Sequence, residues 1–114
     1  MIGLSTQHRY YLYNGATDMR KGCDGLSGIV IKHMHRDPLD GSVYLFINRS
    51  RDRLKMLVYE QGGYMLYYKR LEQGHFEKIH SDDADHIIIS WEDLVLLLQG
   101  IKINSVKRLK RHKK

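Results

Sequence analysis

The sequence predicts an α+β domain with a mainly antiparallel sheet of four to six strands, one longer N-terminal helix and one short C-terminal helix. A chain of 114 residues that is 42% hydrophobic can bury one core. One apolar stripe at helical spacing lies near the N-terminus, and short strand-like runs separated by turn signals fill the middle. We therefore expect a single domain over residues 1–104, followed by a basic, disordered tail over residues 105–114.

The first two elements are predicted to be a strand and the longer helix. Residues 9–13 are rich in aromatics that favour strands, and they stop at the turn signal Asn14-Gly15. Apolar residues then recur at spacings of four and three, which predicts a helix from Asp18 to Met34, capped by Thr17 or Asp18. Three glycines at a spacing of three predict a bare groove on this helix, where another backbone can approach: Gly22, Gly25 and Gly28.

The middle of the chain predicts an antiparallel meander of three strands, over residues 43–48, 53–60 and 64–71. A fourth short strand is expected over residues 76–79, and another over residues 87–89. Ser90 followed by Asp93 matches a capping box for a short helix over residues 91–99, which Gly100 can close. That helix is apolar all round, so we expect it to be buried in the core or in a partner.

The meander predicts a cluster of cations, because its first and third loops lie at the same end of the sheet. Arg49, Arg51 and Arg53 would then lie beside Lys69 and Arg70. The expected register sets Lys55 opposite Arg70, or opposite Lys69 if the turn is one residue longer. Facing like charges destabilise an isolated sheet unless an anion neutralises them, and arginine suits phosphate oxygens.

Two further cations lie in the first turn of the predicted helix, and for the whole set of cations an alternative without a bound anion exists. Arg20 and Lys21 are weaker additions to the anion site, because a first helical turn also offers backbone N–H groups. The alternative is a solvated sheet edge on which Asp52 and Glu72 act as partial counter-ions and lysines prevent aggregation.

The basic tail is a second candidate for contact with nucleic acid. Six of the 19 lysines and arginines lie after residue 106, which leaves the rest of the chain balanced at 13 basic and 13 acidic side chains. Runs of this kind bind nucleic acid electrostatically without reading its sequence, although such a tail can also be only solubilising. The tail cations are Lys107, Arg108, Lys110, Arg111, Lys113 and Lys114.

Composition and missing motifs exclude several classes of function. The single cysteine, Cys23, excludes an intramolecular disulfide framework, and no apolar run is long enough to span a bilayer, so we expect a cytoplasmic protein without a membrane partner. His33 and His35 are poorly spaced for a metal, and Asp82, Asp83 and Asp85 resemble a nuclease site only in residue type. No nucleophile elbow or phosphate-cradling loop is present. We expect no enzyme activity, no cofactor and no metal.

Three blocks of the sequence carry a family resemblance that covers residues 10–101. They are Tyr11–Gly22 with its continuation to Leu26, Asn48–Lys55, and Tyr67–Phe76, followed by the Leu94–Gly100 ending. In this order and spacing they resemble the TnpB accessory proteins, the second-frame products of insertion sequences of the IS-sixty-six type. The chain departs from the family's pattern at Cys23, at Ser50 and in its longer basic tail.

The resemblance implies a role in transposition and DNA recombination beside a separate transposase, with no catalytic residues to carry over. Combined with the charge pattern, it favours an accessory protein that binds DNA, at transposon ends or nonspecifically. An alternative is a scaffold that docks on the transposase through the apolar helix and exposed tyrosines. A third hypothesis, a metal-dependent nuclease, requires cleavage that depends on the acidic group.

Overall fold

The computed structural model describes residues 4–79 and 84–100, and in these ranges it has five strands and two helices. Their bounds are β1 Tyr10–Ala16, α1 Cys23–Lys32, β2 Val43–Ile47, β3 Arg53–Glu60, β4 Gly63–Arg70, β5 His86–Ile89 and α2 Trp91–Leu98. The predicted α+β class is confirmed.

The strands form one sheet in the order β4-β3-β2-β1-β5. The pairs β2–β3, β3–β4 and β1–β5 are antiparallel, so the predicted three-strand meander is confirmed. The pair β1–β2 is parallel, which the sequence did not predict. Parallel neighbours need a crossover, and α1 lies in the connection between them.

Both faces of the sheet are covered, because side chains alternate between two buried clusters. Val43 and Leu45 of β2 belong to the cluster that contains α2, whereas Tyr44 and Phe46 belong to the cluster that contains α1. All five residues of β2 are buried. Successive strand residues point to opposite faces, so the two helices lie on opposite sides of the sheet. We call these sides the α1 face and the α2 face.

Strand β1 continues through Asn14-Gly15, where the sequence predicted a turn. Its pairing with β2 shifts register between Leu12 and Ala16, so this stretch is a bulge. A Cβ added to Gly15 would lie 2.9 Å from the Tyr13 ring. Glycine lets the ring lie over the backbone here, and a larger residue would require the ring to move.

Helix α1 is shorter than predicted and begins five residues later. Gly22 is its N-cap, and Asp18 instead accepts a hydrogen bond from the Arg20 N–H within a turn. Thr17 and Asp18 therefore do not cap the helix. Space is open at two of the three glycines, because no atom lies within 4 Å of a Cβ built at Gly22 or Gly28, whereas the three nearest atoms at Gly25 belong to the Lys21 side chain. The close approach of another backbone along this helix stays a prediction.

Two details of the meander differ from expectation. The β3–β4 turn contains only Gln61 and Gly62, both at positive φ, so Glu60 faces Gly63. The expected strand over residues 76–79 does not form; Phe76 is buried in the α2-face cluster, and its N–H donates to the Arg51 carbonyl at 2.6 Å.

Helix α2 begins where its capping residue predicts. The Ser90 hydroxyl accepts the Asp93 N–H at 3.1 Å. Leu94 and Leu97 are fully buried against the sheet, so the helix fills this chain's own core. Within residues 4–79 and 84–100, neither helix is long and apolar enough to cross a membrane.

A buried tyrosine joins the chain between α1 and β2 to the sheet. The Tyr44 hydroxyl lies 2.9 Å from Asp40 Oδ2 and 3.1 Å from the Asp37 carbonyl, and it accepts from Arg36 Nε. The Arg36 guanidinium also lies 4.0 Å from the Tyr11 ring centroid. Burial raises the pKa of Tyr44 to about 12, so the hydroxyl keeps its proton and remains a donor.

We expect Tyr44→Phe to lower the free energy of unfolding by about 1–2 kcal/mol, because it leaves partly buried polar groups without their partner. Urea denaturation at neutral pH measures this change. Tyr59→Phe is a matched control, since Tyr59 contacts the Tyr64 ring without a hydroxyl hydrogen bond in the described residues. Equal stability of the two variants would contradict a structural role for the Tyr44 hydroxyl.

Candidate nucleic-acid interface

One end of the sheet gathers six of the cations predicted as anion ligands. The carboxyl ends of β2 and β4 and the amino end of β3 lie there, since Ile47 faces Leu54 and Leu54 faces Lys69. We call this the basic end. The cations on its strands and in its first loop are Arg49, Arg51, Arg53, Lys55, Lys69 and Arg70.

The observed register divides these cations between the two faces. Arg53 is directly opposite Arg70 on the α1 face, and Lys55, two residues further along, faces Tyr68. The expected pairing of Lys55 with Arg70 or Lys69 is therefore wrong. Lys69 points to the α2 face, where its Nζ donates to the Leu98 carbonyl at 2.6 Å.

Lys55 connects the strand cations to the segment before α1. Its Nζ donates to the carbonyl oxygens of Met19 and Lys21 at 2.7 and 2.8 Å, and it lies 5.6 Å from the Tyr68 ring centroid. The main chain at Lys21 consequently adjoins the strand cations although it is distant in sequence. We call the group formed by Lys21, Arg53, Lys55 and Arg70 the basic face.

Carboxylates neutralise only part of this charge. Arg70 pairs with Glu72 at 3.0 Å, and both side chains are exposed. A hydrogen bond from the Asn48 amide lowers the pKa of the Asp52 carboxyl, which lies close enough to Arg53 to feel its charge. In the described part of the chain, no carboxylate forms an ion pair with Arg49, Arg51 or Arg53.

Arg20 is placed differently from the expectation that it begins a helix. Both Arg20 and Lys21 precede α1, so the predicted anion site on a first helical turn does not form around them. Arg20 extends into solvent and holds Asp18 at 2.7 Å. Its charge is largely committed to that neighbour.

The loop between β2 and β3 is held in one conformation by hydrogen bonds. The Asn48 carbonyl oxygen Oδ1 accepts the N–H groups of Asp52 and Arg53. Arg51 has a positive φ of 57°, and its carbonyl is fixed by Phe76. Among the described residues, the buried Arg51 Nε has no hydrogen-bond partner. These hydrogen bonds therefore hold the backbone that carries Arg49 and Arg51 in one conformation.

Arg49 and Arg51 line a cleft beside this loop rather than the basic face. The cleft has a volume of about 460 Å³ and lies between the β1 bulge, the carboxyl end of β2 and residues 77–79. Lys78 also lines it. Sequence reasoning missed Lys78 because residues 76–79 were expected to be a strand, although its positive charge was visible.

Several predicted groups are not brought together or fall outside the described ranges. The tail cations Lys107, Arg108, Lys110 and Arg111, and the acids Asp82 and Asp83, lie outside the described residues. Within residues 4–79 and 84–100, no three histidine, cysteine or acidic side chains are grouped as a metal site would require.

The pKa of Asp18 provides a test of the local geometry. Hydrogen bonds from the Arg20 side chain lower it to about 2. The stabilisation from this carboxylate is present above its ordinary pKa of 3.8 and is lost as the pH falls through about 2. In Arg20→Gln, we expect the Asp18 pKa to rise toward 3.8 in a carboxyl NMR titration.

The same titration contains its own control. The pKa of Asp52 is lowered by Asn48 and should not change in Arg20→Gln. An unchanged Asp18 pKa in that variant would show that Arg20 does not hold the carboxylate in solution.

Comparison with known proteins gives a family for this chain. The model of the family described as "IS66 Orf2 like protein" matches residues 8–108. No solved structure gives a significant match.

Two curated relatives, both from Sinorhizobium fredii (strain NBRC 101917 / NGR234), are similar over most of their length. The uncharacterized protein y4hO is 37% identical over 93 residues, which cover 82% of this chain and 80% of the relative. The uncharacterized protein y4jC is 33% identical over 109 residues, which cover 95% and 92%. The chain therefore belongs to the IS66 Orf2-like family, and this membership supports an accessory role in an insertion sequence.

Proposed function

We propose that the protein serves transposition by binding the DNA backbone through the basic face. The observation that carries this proposal is the direct cross-strand pairing of Arg53 with Arg70, with Lys55 next to them on the same face. Arginines opposite one another repel, and in the described part of the chain the one ion pair that either makes with a carboxylate joins Arg70 to Glu72. A phosphate placed between the two guanidinium groups would relieve that repulsion.

The arrangement suits nonspecific contact more than base reading. The cations lie on one face at the end of a sheet, and Tyr68 beside them is 53% exposed. Guanidinium groups there can contact phosphate oxygens, and the tyrosine hydroxyl can donate to a backbone oxygen. The tail cations would add affinity through the same electrostatic attraction. No chemical step is required of this surface.

Docking on the transposase is a second candidate, favoured by a different observation. Ile88 of the edge strand β5 is 72% exposed on the α1 face. In the described part of the chain the outer edge of β5 has no neighbouring strand, and such an edge can pair with a strand of another protein. The apolar helix α2 is less suited to this role than the sequence suggested, because Leu94 and Leu97 are buried within this chain.

We expect Arg53→Gln to weaken DNA binding without weakening the fold. Affinity for a random duplex should fall at low salt, and the slope of log K against log salt should decrease by roughly one for each phosphate that the variant fails to bind. The free energy of unfolding should stay the same or rise by up to about 0.5 kcal/mol, because the repulsion with Arg70 is removed. Fluorescence anisotropy across a salt series and urea denaturation measure the two quantities.

Arg9→Gln is the matched control, since Arg9 is exposed and adjoins the opposite end of the sheet. It removes the same charge from the molecule and should reduce the slope less. If Arg53→Gln and Arg9→Gln have equal effects on binding, the basic face is not a contact surface. If Arg53→Gln leaves DNA affinity intact while a tail-independent complex with the transposase persists, the docking role is favoured instead.

A further inference from the structure

The cleft beside the basic end combines charge with an apolar wall. Arg49, Arg51 and Lys78 line it together with one acidic residue, Glu77. Apolar residues from β1, β2 and the segment after β4 form the remaining wall: Leu12, Tyr13, Ile47 and Ile79. A volume of about 460 Å³ falls in the range of roughly 300–1,000 Å³ that holds small ligands.

The position of the cleft within the sheet also suits a ligand. It opens at the carboxyl ends of the parallel strands β1 and β2. In α/β sheets, ligands bind in crevices outside the carboxyl ends of parallel strands. The bulge in β1 separates its last residues from the regular ladder, and Gly15 leaves room for the Tyr13 ring to fold over the backbone. Bulges of this kind re-aim side chains next to binding sites.

Arg51 supplies the most specific indication of what the cleft takes. Its backbone is held at a positive φ of 57°, and its Nε is buried with no hydrogen-bond partner in the part of the chain that the structure describes. A buried donor without an acceptor destabilises a protein, and strained backbone is concentrated at binding sites. The Nε is closed to solvent, so an anion in the cleft would bind the terminal guanidinium nitrogens of Arg51, and Arg49 and Lys78 would add charge around the same anion.

We propose that this cleft receives one unpaired nucleotide of a DNA strand. Its phosphate lies among Arg49, Arg51 and Lys78, and its base lies against Tyr13 and the apolar wall. A nucleotide joins an anion to a flat apolar ring, which is the combination that the lining presents. This inference rests on the proposed function, because the basic face would hold the adjoining backbone while the cleft holds the extruded base.

The test compares two DNA substrates of the same length, a fully paired duplex and a duplex with one unpaired thymidine in its centre. We expect the full-length protein to bind the second substrate roughly five-fold or more tightly at fixed salt, since stacking of one base contributes this much. In a double variant, Arg51→Gln with Lys78→Gln, the ratio of the two affinities should fall toward one.

Variants of the basic face separate this inference from the proposed function. Arg53→Gln should weaken both substrates equally and leave their ratio unchanged. Equal wild-type affinity for the two substrates would overturn the cleft assignment while leaving duplex binding intact. A retained ratio in the Arg51 and Lys78 variant would overturn it as well. Binding only to the unpaired nucleotide, with no effect of Arg53→Gln, would instead overturn the proposed function and support the cleft.

A second measurement does not depend on the folding of any variant. We expect titration of the wild-type protein with thymidine 5′-monophosphate to shift the amide NMR signals of residues 13–16 and 48–51. Shifts confined to other residues, or no shifts at millimolar nucleotide, would contradict the assignment.

Discussion

The structure depends on the burial of β2 between two layers. All five of its residues are buried, because β1 and β3 flank it and side chains alternate into clusters on both faces. A strand buried on both faces must satisfy its backbone groups through its neighbours, which fixes β1 and β3 beside it. The carboxyl end of β1, the loop after β2 and the start of β3 are consequently brought to one end of the sheet. The basic end is a product of that arrangement.

The cations at the basic end lie in different environments. The basic face lies on the side of α1 and presents Arg53 and Arg70 to solvent, whereas Arg49 and Arg51 belong to a braced loop beside a cleft. Lys69 points to the other side and is used to hold the end of α2. Cations that are adjacent in sequence therefore have different environments, and a single patch would not describe them.

The sequence predicted most elements but less of their arrangement. Turn residues and the Ser90 cap identified the meander and α2, because both signals are local. The parallel direction of the β1–β2 pair could not be predicted from the sequence, since a buried strand shows the same apolar run whichever direction its neighbour takes. Asp18 accepts a hydrogen bond within a turn and does not cap the helix, so the predicted start of α1 was too early.

The candidate site was predicted only in part, since a shift of one residue in register moves a side chain to the opposite face. Lys69 illustrates this, because it faces Leu54 and not Lys55. The cleft could not be anticipated at all, because it requires the β1 bulge and the irregular path of residues 77–79.

Lys55 has two roles in the molecule, because it anchors a neighbouring segment and also supplies a positive charge. Its ammonium group holds the carbonyl oxygens of Met19 and Lys21, so it anchors the segment that leads into α1. An uncharged side chain at position 55 would release that anchor as well as remove a positive charge. Acetylation of this amine would likewise couple a change of surface potential to a displacement of the chain before α1, so the shape and the charge of the molecule would change together.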